Sequence, residues 1–349
     1  MEDVARVAGV SVATVSKVVN QRYGVAQSTI DKVTEVIESL GYEASLGARS
    51  LRSHRTNVIG VLVAEFEPFS TELLKGVSSA IDETGYELLA YSGGHHGRAV
   101  GWERRSLSRL GGTLIDGAIL VTPTVVSAPA EVPVVAVDPH TGPAGMPTVD
   151  ADNVAGAVAA TEHLLALGHR RIALLGGRED LESARLREHG FRAAMAAADV
   201  PVDPSLVRVG GYRPETASAP AHELLSRADR PTAVFAANDI SAIRTVEVAH
   251  ELGLRVPEDV SVVGFDNVPE SVLCSPSLTT VAQPLHDIGA TALRMLVEML
   301  AGHEPSPAHV SLPTRLVQRD STGPVPASWD LARGRRGAGK GRSGALLER

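Results

Sequence analysis

Seven side chains scattered between positions 69 and 266 are of the types that grip a polyhydroxylated small molecule. Asp266 follows the apolar run Val260–Phe265 within Gly264-Phe-Asp-Asn-Val-Pro-Glu-Ser271, where a carboxylate can accept two hydroxyl donors. Asn238 ends Phe235-Ala-Ala-Asn-Asp239 and offers both a donor and an acceptor. Arg187, near a helix start in Ser183-Ala-Arg-Leu-Arg-Glu-His-Gly190, supplies a planar fork of donors. Tyr212, in the loop after Val207–Gly210, can stack on a sugar ring. Asp138 ends the run Val134–Val137, and Phe69 and Ser70 follow Val58–Val63. Taken singly, each has a plainer use: a lone Tyr or Phe packs a core, and Asp138 caps a loop. Asp152 and Asp239 read as helix caps.

A second constellation lies at the N-terminus. Asp3–Asn20 reads as two short helices joined at Gly9-Val10, with Val4, Val7 and Ala8 forming one apolar stripe and Val15, Val18 and Val19 another. Gly9 suits the left-handed residue that ends the first helix, and Ser11 can cap the second. The outer face of the second helix carries Val12, Ala13, Ser16 and Lys17. It is small near its start, so its backbone can approach DNA. Its hydroxyls and cation suit phosphates and base edges, as in a helix-turn-helix recognition helix in a major groove.

Other groupings point to no chemistry. His95-His96 has no carboxylate or thiol at ligand spacing, so an exposed Gly-rich loop fits better than a metal site. Gly176-Gly177 after an apolar run is not a dinucleotide fingerprint. Asp138 and Asp266 could be imagined as a glycosidase pair, but nothing in the sequence raises either pKa. No catalytic residue, metal or cofactor is expected.

The elements that must position these residues follow a simple rhythm. Residues 28–40, with Val33, Val36, Ile37 and Leu40 on one face, read as a third helix packing the first two. From Asn57, strands at Val58–Val63, Glu87–Tyr91, Gly117–Val121, Val134–Val137, Arg171–Leu175, Ala233–Ala236 and Val260–Gly264 alternate with helices at 70–84, 153–167, 184–198, 215–227, 239–252 and 285–301. Such alternation makes parallel sheets with right-handed crossovers, and residues 57–322 suffice for two doubly wound lobes with a cleft between them. Ligands bind off the carboxyl ends of the strands in such sheets. The fold class is therefore α/β: an all-helical headpiece (1–43), a linker (44–56), a two-lobed core (57–322) and a tail (323–349). The tail is rich in Gly, Arg, Pro and Ala, as in Ala332-Arg-Gly-Arg-Arg-Gly-Ala-Gly-Lys-Gly-Arg342, and is expected to be disordered. It has no leucine heptad array for tetramerisation.

The net charge of −8 is unevenly spread. Residues 1–56 hold seven Lys/Arg against six Asp/Glu, residues 57–322 hold 20 against 33, and residues 323–349 hold six against two. The acidic excess belongs to the core, which DNA repels. The weakly basic headpiece calls for two copies acting together. One cysteine, Cys274, rules out a disulfide framework and a Cys-based metal site. No apolar run is long enough to span a membrane, and the N-terminus lacks the regions of a signal peptide, so a cytoplasmic protein is expected.

The N-terminal run, Leu40-Gly-Tyr42, Ala48-Arg-Ser-Leu-Arg52 and the core motifs fall in one order, and that order resembles the lactose-repressor (LacI/GalR) family of bacterial transcription regulators. The resemblance implies a core like the periplasmic sugar-binding proteins, with the chain crossing between lobes near 155, 282 and 311. It implies that residues 44–53, a linker by composition, form a hinge helix in pairs on DNA and push Leu51 into the minor groove. It implies DNA contacts from Ser11, Val12, Ala13, Thr14, Ser16, Lys17, Asn20 and Thr29. In the core, Arg187, Asn238 and Asp266 match effector contacts, Tyr212 matches a stacking aromatic, and Phe69, Ser70 and Asp138 lie in matching but variable loops. The implied protein is a cytoplasmic homodimeric repressor that reads a palindromic operator and answers to a small effector, a sugar by expectation. The alternatives are a sugar-binding module with a degenerate headpiece, or a regulator responding to purines or nucleosides. The sequence departs from the family at its start, Met-Glu-Asp, where a Thr normally precedes the acidic residue. Either the first helix lacks its cap or the natural start lies upstream. It also departs at Glu43-Ala-Ser45, in place of a Pro-Asn pair, and at Ala26 and Ile30, where Ser and Arg commonly hold phosphate. Fewer backbone contacts to DNA are expected.

Overall fold

The computed structural model describes residues 1–19, 23–40, 55–93, 100–125, 132–143 and 145–325. Expectations for Asn20, Leu51, the hinge segment to residue 54, His95-His96 and the tail from 326 lie outside the described residues.

The headpiece consists of α1 (Glu2–Ala8), α2 (Val12–Val19) and α3 (Gln27–Ser39). Gly9 ends α1 at φ 63°, where a Cβ would be strained, and no side chain caps the start of α1. Ser11 Oγ accepts the Thr14 N–H at 3.1 Å and so opens α2. Val4, Ala5, Ala8, Val15 and Val33 are buried together. Val7, expected in the stripe, is 51% exposed. The period of 3.6 centres the buried face of α1 between positions 4 and 8, which takes in Ala5 and leaves Val7 outside. Leu40 stands just past α3 and is also exposed.

The core has two lobes. Lobe one starts with β1 (Val58–Val63), α4 (Pro68–Ile81), β2 (Glu87–Ser92), α5 (Trp102–Leu110), β3 (Gly117–Val121), β4 (Val134–Val137) and β5 (Thr148–Ala151). At Asp152 the chain passes to lobe two. There it builds α6 (Asn153–Ala166), β6 (Ile172–Gly176), α7 (Glu182–Ala197), β7 (Val207–Val209), α8 (Pro214–Leu225), β8 (Ala233–Ala236), α9 (Asp239–Glu251), β9 (Ser261–Asp266), α10 (Glu270–Leu273) and β10 (Thr279–Ala282). It returns at Gln283 for α11 (Leu285–Leu300) and β11 (His309–Leu312), then crosses again at 313–314 to β12 (Arg315–Val317). The sheet orders are β11-β5-β4-β3-β1-β2 and β12-β10-β9-β8-β6-β7, the same plan twice. Every pairing is parallel except β12 on β10, an antiparallel edge.

The continuous apolar runs are strands buried on both faces, as β1, β3, β4 and β8 show. In lobe one, β1, β3, β4 and β5 bury Ile59, Ile119, Val135 and Val149 against α4 and α11. In lobe two, Phe191, Phe235 and Phe265 fill the space between α6, α7 and the sheet. The chain remains tied to lobe two beyond residue 322. His169 Nε2 pairs with Gly323 O at 3.0 Å, and Val325 N–H donates to Leu167 O at 3.1 Å. The carboxyl ends of β1, β3, β4, β6, β8 and β9 all face the gap between the lobes.

Candidate functional site

The cleft between the lobes forms a cavity of about 100 Å³, reached by residues from both sheets. Arg187, on α7, is 3% exposed and is the centre of the lobe-two wall. Its Nε donates to Asn153 Oδ1 at 2.8 Å, and its Nη1 donates to the Ala237 carbonyl and lies 3.4 Å from Asp266 Oδ1. Its guanidinium stacks 3.8 Å from the Phe265 ring centroid and 5.6 Å from that of Tyr212. Asp266 Oδ1 accepts Gln283 Nε2 at 2.7 Å. Asn153 directly follows the first crossing and Gln283 stands at the second, so the connections between lobes hold the arginine–aspartate pair directly.

Asn238 has two duties. Its side-chain oxygen caps α9 by accepting Ser241 N–H at 2.9 Å, and its Nδ2 donates to Tyr212 O at 3.2 Å. The expected cap, Asp239, is instead wholly buried one residue inside the helix. It accepts Thr280 Oγ1 at 2.5 Å and Val268 N–H at 2.9 Å, which ties α9 to β10. Asp152 does cap α6, accepting Ala155 N–H at 2.9 Å. Tyr212 reaches the cavity because Gly177 has no side chain: a Cβ there would stand 2.2 Å from Tyr212 Cζ. On the lobe-one wall are Phe69, Asp138, Thr122, Trp102 and His140. Ser70 does not line the cavity. It is 2% exposed and locks the start of α4, accepting Glu67 N–H at 3.0 Å and donating to Glu65 O at 3.1 Å.

Burial dominates the electrostatics. It pushes Asp266 up to about 7, against the pull of Arg187 and Gln283. It raises Asp138, opposed by Arg187 and Ser183, and raises the Tyr212 hydroxyl to about 12. Asp239 stands well above the ordinary carboxyl value, through burial first and the nearby Asp266 charge second. Backbone strain gathers at the same place. Thr122, Asp138, Tyr212 and Asp266 hold φ values of 47°, 48°, 66° and 113°. Left-handed non-glycine residues cost energy, and four of them around one cavity mark a prearranged site. The lobes also touch at the mouth: His140 Nδ1 lies 3.1 Å from Asp180 Oδ2, Glu182 N–H donates to His140 O at 3.0 Å, and Arg213 Nη2 meets Glu65 Oε2 at 2.7 Å.

Of the effector set, the structure brings Phe69, Asp138, Arg187, Tyr212, Asn238 and Asp266 to one cavity and leaves Ser70 outside it. Sequence reading missed Trp102, Thr122, His140, Asn153 and Gln283. Only the last two had a signal, as polar residues next to expected crossings. On the headpiece, Ser11, Val12, Ala13 and Lys17 are exposed, while Thr14, Ser16 and Thr29 are half-buried. The Thr14 hydroxyl lies 2.9 Å from Ser11 Oγ within the cap. Among the described residues, no group of three or more His, Cys, Asp or Glu side chains is placed to hold a metal.

Comparison with known proteins matches residues 1–45 to the bacterial regulatory proteins of the lacI family and residues 161–322 to the periplasmic binding protein-like domain. The HTH-type transcriptional regulator DegA of Bacillus subtilis is 34% identical over 333 residues, covering 93% of this chain and 98% of DegA. The HTH-type transcriptional repressor PurR of Aliivibrio salmonicida is 33% identical, covering 86% of this chain and 92% of PurR. Among solved structures, the transcriptional regulator CelR–cellobiose complex superposes with a TM-score of 0.69 at 32% identity, covering 91% of this chain and 98% of that one. The lac repressor dimer bound to operator and the anti-inducer ONPF superposes with a TM-score of 0.79 at 28% identity, covering 92% and 98%. With headpiece and core both matched in order along nearly its whole length, the chain belongs to the LacI family of bacterial transcription regulators, DNA-binding proteins and not enzymes.

Proposed function

We propose that the protein is a homodimeric repressor in the cytoplasm. Two headpieces read a palindromic operator, Leu51 of each hinge wedges the minor groove, and a sugar bound in the cleft sets DNA affinity. The observation that carries the effector reading is the buried Arg187–Asp266 pair, flanked by Asn238, Asp138 and the Tyr212 ring in one cavity. A fork of donors beside a carboxylate satisfies a hydroxyl as acceptor and donor at once, and an aromatic ring covers the apolar face of a pyranose. The CelR complex with cellobiose supports a sugar, and the operator-bound lac repressor dimer supports two headpieces on one site. Because Asn153 and Gln283 hold the pair from the crossings, a ligand that pulls on Arg187 or Asp266 acts on the hinge, and a lobe rotation changes the headpiece spacing. The acidic core keeps DNA contact to the headpieces. Among the described residues, no helix is long and apolar enough to cross a membrane.

The PurR relatives favour a second reading, in which Tyr212 and Phe69 sandwich a purine base. A thermal-shift series with glucose, galactose, ribose, cellobiose, guanine and hypoxanthine separates the two. A ligand at a hundred times its Kd stabilises by about 2.7 kcal/mol. Stabilisation by a sugar and not by the bases is expected. Stabilisation by guanine or hypoxanthine instead selects the purine reading, and a flat response to all six removes the effector assignment.

A further inference from the structure

Two side chains of the cleft carry polar groups without a well-formed hydrogen bond among the described residues. Among the described residues the Trp102 indole N–H is buried with no hydrogen-bond partner, the Tyr212 hydroxyl has only Ser183 near it, and both residues line the same cavity, one from each lobe. Tyr212 already belongs to the proposed effector set. Trp102 belongs to none.

Trp102 is the first residue of α5 and is 1% exposed. It belongs to the buried cluster of Leu62, Leu107, Leu110 and Ile115, a role a phenylalanine could share. The N–H is then a cost with no return inside the protein, since buried polar groups in native folds are nearly always paired. The helix start that carries the indole is also fixed in place. Gly101 N–H donates to Thr124 Oγ1 at 2.8 Å, Thr124 Oγ1 donates to Glu103 Oε1 at 2.9 Å, and Val125 N–H donates to the same oxygen at 2.7 Å. Glu103 is fully buried, so this network clamps the start of α5 to the loop after β3. The clamp fixes the backbone that carries the indole, and the ring itself is held by its burial.

We propose that Trp102 is a specificity-determining residue of the effector site, its indole N–H donating to an oxygen of the bound sugar from the lobe-one wall. The proposal rests on the sugar reading of the cleft. Its place opposite Arg187 and Tyr212 means that one ligand satisfies donors on both lobes and so favours their approach. Asp138, on the same wall as Glu65 and Glu67, takes hydroxyl donors. Trp102 supplies the complementary donor, so the lobe-one wall selects a sugar offering a hydroxyl hydrogen and an oxygen acceptor close together.

The test is calorimetry on the full chain with glucose, cellobiose, hypoxanthine and the four monodeoxyglucoses. Trp102→Phe keeps an aromatic ring and removes the N–H; Asp266→Asn serves as the control for the cleft itself. Trp102→Phe should bind the tightest wild-type sugar about five- to fiftyfold more weakly, and one deoxyglucose, missing the oxygen that takes the N–H, should bind both proteins alike. If Trp102→Phe stays within twofold of wild type while Asp266→Asn loses binding, the proposal is overturned and the sugar reading stands. An equal loss for every analogue reduces Trp102 to ring packing and also overturns it. Binding of hypoxanthine alone, or of no probe, overturns both. Should Trp102→Phe fail to fold, nuclear magnetic resonance on the Trp329→Phe protein keeps the question open to refutation, because Trp102 is then its one tryptophan. Its Nε1–H resonance should move downfield and exchange more slowly with sugar, and an unchanged resonance overturns the proposal.

Discussion

Effector binding should release a proton from Asp266. The carboxyl is buried and stands at about 7, held down by Arg187 Nη1 at 3.4 Å and Gln283 Nε2 at 2.7 Å. Sugar hydroxyls that donate to it favour the ionised form. Near pH 7 roughly half of the molecules carry the proton, so binding should release about 0.5 proton per site. At pH 6 about nine in ten carry it, and at pH 8 about one in ten, so affinity should be roughly tenfold weaker at pH 6 than at pH 8. The sign for stability is the opposite. The folded value lies above the 3.8 of a free aspartate, so this group's contribution to the unliganded protein is fully present below 3.8 and is lost as pH rises through about 7. The melting temperature of the free protein should therefore fall across that window while the gain from sugar widens. Calorimetry at pH 7 in phosphate and in Tris measures the proton directly, from the dependence of the binding enthalpy on the buffer's ionisation enthalpy. Buffer-independent enthalpy with flat affinity from pH 6 to pH 8 refutes the reasoning. A proton release that survives in Asp266→Asn, measured at sugar concentrations high enough to overcome its weakened binding, moves it to another group, Asp138 being the next candidate.

Other outcomes follow from the same geometry. Gly177→Ala places a Cβ 2.2 Å from Tyr212 Cζ, so the ring must leave the cavity and sugar binding should weaken by about 1 kcal/mol or more; unchanged affinity by calorimetry removes the stacking role. Asp239→Ala strips partners from the buried Thr280 hydroxyl and Val268 N–H and should cost about 2–4 kcal/mol in urea unfolding; a cost below about 1 kcal/mol means the bridge contributes little. Lys17→Ala should lose about 1–3 kcal/mol on an operator selected from random duplexes and much less on unselected DNA; equal loss on both makes Lys17 a phosphate contact.

Much of the core was legible because apolar runs such as Val58–Val63 and Ala233–Ala236 can only be strands buried on both faces. The motifs at their ends point Asp138, Asn238 and Asp266 toward the cleft, where all three line the cavity. The short strands Thr148–Ala151, His309–Leu312 and Arg315–Val317 carried no such signal, since three or four mixed residues owe their conformation to the neighbours they pair with. Helix α5 was hidden by Glu103, a charge at a buried position whose partners, Thr124 and Val125, lie over twenty residues away. Asn238 and Asp239 are equally good caps by type. The choice fell to Asn238 because Thr280 and Val268 claim the aspartate. Left-handed backbone at Thr122 and Asp138 was invisible for a similar reason: a β-branched residue and an aspartate adopt it only when the surrounding fold imposes it.

The measurement that bears most directly on the central claim is an operator titration with and without the sugar, followed by fluorescence anisotropy on a duplex the protein itself selects. In wild type the sugar should shift operator affinity by about five- to 150-fold, the usual range of coupling between two sites. In Arg187→Ala and Asp266→Asn the two titration curves should superimpose at that sugar concentration. If either variant keeps the full wild-type shift, the cleft is not where the signal enters, and the account fails.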